Sequence, residues 1–227
     1  MDTREKLAEE LANALGDALV SAVAYGPPEA KPGVVPSLLV VLAEVSSDNL
    51  ALMRKPIADA LKKEAIGVMT LTENELKRSA DVFPIKFRAI RRNGKTLHGK
   101  DLVQKMEIRD SHLRLRCEQE LKNLSLRLRQ RYLQGLRTAK QKASALSSSV
   151  GSLRQDLAVL AELKEGKSDV SSNELTEIAK GWDLDLSLLD KAEKLAEEKK
   201  PDDSEADSIY HAFRAMVDQA ADIADRL

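Results

Sequence analysis

One stripe of apolar residues constrains this chain more than any other feature. Leu113, Cys117, Leu121, Leu124, Leu128, Tyr132, Leu136, Ala139, Ala143 and Leu146 follow one another at steps of three or four. That spacing places side chains on one face of an α-helix. A strand cannot carry it, because strand side chains alternate every second residue. The stripe predicts one long helix across 113–146, broken at Ser147–Ser152, where the serines at 147–149 read as a short polar linker. Further helices are expected at Leu153–Glu165 and, from a capping box of Ser171 and Glu174, up to Gly181. Two more are expected at Leu188–Lys199 and Ser204–Leu227, with Pro201 between them. Short connections between such helices imply an antiparallel bundle over residues 100–227.

Residues 1–99 have a different texture. Leu7, Leu11 and Leu15 describe an amphipathic first helix that Gly16 ends. Ala18–Tyr25 is small and partly β-branched and stops at Gly26-Pro27-Pro28, which reads as a strand entering a loop. Leu38–Ala43 is a continuous apolar run, the signature of a strand covered on both faces. Ser47 is placed to cap a helix reaching about Glu64, with Pro56 expected to kink or divide it. A short strand at Val68–Thr70 precedes a capping box of Thr72 and Glu75 that opens a helix through Arg78. Asp81–Ile90 alternates, Phe83, Ile85 and Phe87 against Lys86 and Arg88, and predicts another strand. The expected fold is thus an α/β domain over 1–99 followed by an all-α helical bundle.

Charge is divided along the chain although the net is -1. Residues 1–85 hold 9 basic and 13 acidic side chains, net -4; residues 86–142 hold 17 and 5, net +12; residues 143–227 hold 10 and 19, net -9. Such asymmetry bears on partners. Arg114, Arg116, Lys122, Arg127, Arg129 and Arg131 lie off the apolar stripe, where they face water or meet the acidic helices after residue 143. Aromatic residues make up 3% of the chain, too few for base stacking, so nucleic-acid binding is disfavoured. No run reaches the roughly 18 apolar residues of a membrane span, and Asp2–Glu10 is too charged for a signal peptide. A soluble cytoplasmic protein is expected. The lone Cys117 lies on the apolar stripe and reads as a core residue. His98, His112 and His211 lack zinc-ligand spacing.

The segments "AVAYG" ending at Gly26, "SLLVVL" at Ser37–Leu42 and "VMTLTENELKRSADVFPIKFRAI" together resemble the nucleotidyltransferase-fold superfamily. That group contains kanamycin nucleotidyltransferase and the minimal bacterial nucleotidyltransferases. The resemblance covers about Leu7–Gly99 and implies a mixed sheet with helices, to which many members append a helical domain. It further implies a Gly-Ser turn, a strand carrying an Asp-x-Asp or Asp-x-Glu pair, and a third carboxylate on a neighbouring strand, which together hold two divalent metals.

This chain departs from that pattern at each chemical position. Pro27 stands where the resemblance implies serine, which removes a hydroxyl and an N–H. Val35 and Ser37 occupy the paired-acid positions, or Leu38 and Val40 do in the other register, and Lys86 and Arg88 stand where the third acid is expected. Magnesium is held by carboxylate oxygens, which valine and leucine cannot replace. The expectation is a degenerate member, a pseudoenzyme without catalytic or metal-binding residues and without a cofactor. It would work by binding, with the bundle as a surface for a protein partner or a homodimer.

Two alternatives stay open. Gly26, Ser37, Lys86 and Arg88 could hold a nucleotide phosphate without turnover. An active enzyme would need Mg and an NTP, with acids such as Glu29, Glu44 or Asp81. The acidic pair in "WDLDLSLL" at Trp182–Leu189 reads as a helix junction, where Asp183, Asp185 or Ser187 serves as a cap.

Overall fold

A computed structural model describes residues 2–30, 34–167 and 170–227. Residues 31–33 of the loop expected after Gly26 lie outside the described residues. The chain divides into two compact units, Met1–Arg109 and Asp110–Leu227.

The first unit is built on a four-stranded mixed sheet in the order β3-β2-β1-β4. Helix α1 (Thr3–Leu15) starts where the Asp2 carboxylate accepts from the Arg4 N–H, and it buries Leu7, Leu11 and Leu15. Strands β1 (Leu19–Tyr25) and β2 (Ser37–Leu42) pair antiparallel. Helix α2 (Ser47–Leu61) then crosses to β3 (Gly67–Thr72), which runs parallel to β2. Every residue of β2 is buried because both faces are covered. Leu38, Val40 and Leu42 join the core shared with α1 and α2. Leu39 and Val41 face the core built by Leu76 of α3 (Glu73–Arg78) and by Phe87 and Ile90 of α4 (Pro84–Asn93). The continuous apolar run is therefore a strand inside a three-layer sandwich. The unit extends past Gly99 because Val103 and Met106 complete that second core.

Two expectations for this unit are corrected, and one strand is added. Asp81–Ile90 is not a strand: its second part is α4, opened by Pro84 at the first helical turn. Pro84 lacks the N–H that a first-turn residue leaves unpaired, so it favours a helix start there. Phe83, Ile85 and Phe87 fit a period of two over five residues, but Phe83 is exposed, and Pro84, Phe87 and Ile90 are buried at the three-residue steps of a helix. Pro56 does not divide α2, which runs unbroken from its cap Ser46. The carbonyl a proline leaves without a donor is that of Leu52, itself on the exposed side of the helix. The last strand, β4 (Lys95–Gly99), is an addition: it pairs antiparallel with β1 and had no signal of its own.

The second unit consists of α5 (Asp110–Gly135), α6 (Ala139–Glu165), α7 (Ser172–Lys180), α8 (Ser187–Glu197) and α9 (Asp203–Asp225). Helix α5 packs on α6 and α9, and α6 packs on α8 and α9. The stripe is divided between two helices, which overturns the single helix over 113–146. Gly135, at φ 130, ends α5, and Thr138 with Gln141 forms a capping box that opens α6. Ser147–Ser152 is not a linker but lies inside α6. Its serines are tolerated there because the hydroxyls of Ser148 and Ser149 donate to the Ala145 carbonyl, each at 3.0 Å. The capping box at Ser171 and Glu174, and Gly181 as the cap of α7, are found as expected.

Candidate functional site

The glycine turn after β1 is held by its own neighbours. Gly26 has φ 79, a conformation that side-chain-bearing residues avoid, and a Cβ there would lie 2.9 Å from the Val35 carbonyl oxygen. The Ser37 hydroxyl donates to that same carbonyl at 3.0 Å. A Cβ on Gly67, where β3 begins, would lie 2.7 Å from the Ser37 hydroxyl oxygen and in contact with the Val35 side chain. Gly26, Val35, Ser37 and Gly67 thus close one tight junction at the end of the sheet. Burial raises the pKa of the adjoining Tyr25 phenol, and a hydrogen bond with the Ser37 side chain opposes that rise.

Beside the junction is a small cleft walled by Arg4, Tyr25, Gly26, Pro28, Asn93 and Lys95. Arg4, which sequence reasoning missed, is buried and ties the start of α1 to the end of β1. Its Nη2 donates to Asp2 Oδ2 at 2.5 Å and its Nη1 to the Tyr25 carbonyl at 3.0 Å. Hydrogen bonding from Arg4 holds the Asp2 carboxyl below its usual range. Lys95, also missed, donates to Glu5 Oε1 at 2.9 Å. The cations nearest the turn are therefore neutralised by acids of α1 and its cap.

Lys86 and Arg88 are not among the walls of this cleft. Both ride on α4. Lys86 is exposed, with its Nζ 5.9 Å from the Phe83 ring centre, and Arg88 is half-buried. The structure thus unites Gly26 with Ser37 and puts Lys86 and Arg88 on a helix that the strand expectation did not foresee. Glu29, Glu44 and Asp81 are exposed. Among the described residues, no three His, Cys, Asp or Glu side chains are grouped so as to hold a metal ion.

In the second unit the basic helix α5 meets acids. Lys122 reaches Glu118 and Asp225 at 2.8 and 2.9 Å, Arg129 reaches Asp218 at 2.8 Å, and Arg116 reaches Glu120 at 2.5 Å. Lys142, nearly buried, pairs with Asp207 at 2.7 Å. In the Trp182–Leu189 segment Asp183 takes φ 57, and Asp185 Oδ1 accepts from the Ser187 N–H at 3.0 Å, as a helix junction requires. Cys117 is buried, its thiol donating to the Asp156 carbonyl at 3.3 Å, and burial raises the thiol pKa well above its ordinary value. Among the described residues no helix is long and apolar enough to cross a membrane.

Fold and site define a chain of two units, a small mixed α/β sheet with helices on both faces and a helical bundle. Comparison with known protein families and with curated proteins finds no match.

Proposed function

We propose that this chain is a degenerate nucleotidyltransferase-like protein that acts by binding and not by catalysis. The observation that carries this is the entry into β2. Leu38 and Val40 are fully buried in the sandwich, Val35 lends its carbonyl to the junction, and the Ser37 hydroxyl donates to that carbonyl. A two-metal transfer needs carboxylates converging where these side chains sit.

The binding surface we assign to the bundle is the outer face of α5. Leu115, Leu126 and Leu133 are 51%, 52% and 83% exposed. Their separations of eleven and seven residues put them on one side of the helix, opposite the buried Cys117, Leu121, Leu124 and Leu128. An outward leucine stripe opposite the core-facing stripe suits a helical protein partner.

A direct test is incubation with magnesium and labelled nucleoside triphosphates. No incorporation and no metal-dependent product are expected, and metal-dependent transfer abolished by Glu29→Gln, Glu44→Gln or Asp81→Asn would overturn the proposal. Titration calorimetry separates static nucleotide binding at Gly26, Ser37, Lys86 and Arg88 from none. Heat that disappears in Lys86→Ala or Arg88→Ala would assign the phosphate to α4.

A further inference from the structure

Between α2 and Thr70 of β3 runs a groove of about 630 Å³, within the size range of small-molecule sites. Leu50, Ile57 and Leu61 recur at i, i+7 and i+11 along α2 and line it together with Met53. Met53 is buried, whereas Leu50 is 45% and Leu61 52% exposed. The only polar side chains in the lining are the hydroxyls of Ser47 and Thr70 and the guanidinium of Arg54. An apolar groove therefore holds a single charge.

That charge has no acid to meet it. The residues three and four positions from Arg54 on the helix are Leu50, Ala51, Ile57 and Ala58, so none of its neighbours on that face is acidic. The two acids of α2, Asp48 and Asp59, lie about 120° and 140° round the helix from it. Asp59 is in any case shared by Lys55 and Lys62, at 3.4 and 2.9 Å. Arg54 is exposed, and among the described residues it enters no ion pair. A guanidinium offers a planar fork of N–H donors that fits the two oxygens of one carboxylate.

We propose that this groove binds an aliphatic carboxylate, with its head on Arg54 and its hydrocarbon body along Ile57 toward Leu61. The single cation matches a single negative charge, and the apolar side chains match an unfunctionalised chain. The direction follows from the room on each side of Arg54. Seven residues, about 10 Å of helix, separate it from Leu61, but only four, about 6 Å, separate it from Leu50. The site shares no residue with the Gly26 junction or the α5 stripe, so it stands apart from the function proposed above.

Titration calorimetry of the full chain with decanoate is expected to give one saturable site, and hexanoate should bind more weakly because it buries less hydrocarbon. Decanol and decyltrimethylammonium keep the body but remove or reverse the charge. Each should bind about tenfold more weakly than decanoate, the loss of one charge-assisted pairing. Arg54→Gln should lower decanoate affinity by a similar factor and leave decanol unchanged, whereas Leu61→Ser should weaken both. Both side chains are exposed, so the circular dichroism of each variant should match that of the parent. No saturable binding of decanoate, equal affinity for decanoate and decanol, or undiminished decanoate binding in Arg54→Gln would overturn the proposal. So would a concentration-dependent dimer in sedimentation velocity that is lost in Leu50→Lys, Leu61→Lys, because a second copy of the chain would then occupy the groove.

Discussion

At the scale of single residues, two positions carry measurable consequences. Asp156 is buried in α6, and burial pushes its carboxyl up to about 8, with the Glu120 charge adding and Arg116 and Arg127 opposing. The folded state therefore holds a proton that the unfolded state, with its ordinary carboxyl near 3.8, has lost. Between those values the unfolded state binds fewer protons, so stability falls as pH rises from about 4 to about 8 and levels off above that. Urea midpoints measured across this window should decline steadily and then level off above about 8. Asp156→Asn should flatten the curve and leave the protein more stable at pH 8 than its parent. The second residue is Gly26. Gly26→Ala should cost about 1–3 kcal/mol, because it adds left-handed backbone strain and a close Cβ contact with the Val35 carbonyl oxygen. Thermal unfolding checks this. A neutral outcome would mean that the junction yields and that the glycine is kept for another reason.

At the scale of elements, local signals were legible where they are self-contained. The capping boxes at Thr72 with Glu75 and at Ser171 with Glu174 each use a side chain and a backbone N–H three residues apart, so no distant residue decides them. The α5–α6 turn is marked the same way by Thr138 and Gln141, but the unbroken apolar stepping masks it. Thr138→Ala should lower stability by about 1 kcal/mol in chemical denaturation, with Thr138→Ser restoring most of it. The serines of α6 behave individually. The Ser147 hydroxyl is buried and has no hydrogen-bond partner, whereas Ser149 bonds to Ala145. Ser147→Ala should therefore stabilise the protein by about 1 kcal/mol, and Ser149→Ala should not. The α4 segment shows why short alternation misleads: Phe83, Ile85 and Phe87 fit a period of two, yet Phe83 is exposed and burial continues to Ile90 at helical steps from Pro84 and Phe87.

At the scale of the whole molecule, each unit owns its core. The first has apolar layers on both sides of its sheet. The second buries Leu113, Leu121 and Leu128 of α5 with Tyr210 and Phe213 of α9, whose Tyr210 hydroxyl donates to the Leu128 carbonyl at 2.7 Å. A fragment of residues 110–227 should accordingly be helical by circular dichroism and unfold cooperatively without the first unit. A fragment with no cooperative transition would show that its core is incomplete.

The sequence by itself determined strands β1 to β3, helices α1 to α3 and α7 to α9, and their order. Helical stepping, strand runs, caps and the division of charge are properties of neighbours along the chain, and they need no tertiary contact to be expressed. It also determined that Val35, Ser37, Leu38 and Val40 bring no carboxylate to the start of β2. Only the tertiary structure decided that residues 84–93 coil and do not extend, that β4 returns to β1, and that the Ser37 hydroxyl donates to the Val35 carbonyl. Each of these depends on which distant surface a short segment meets, and burial against that surface outweighs the weak local preference of a few residues.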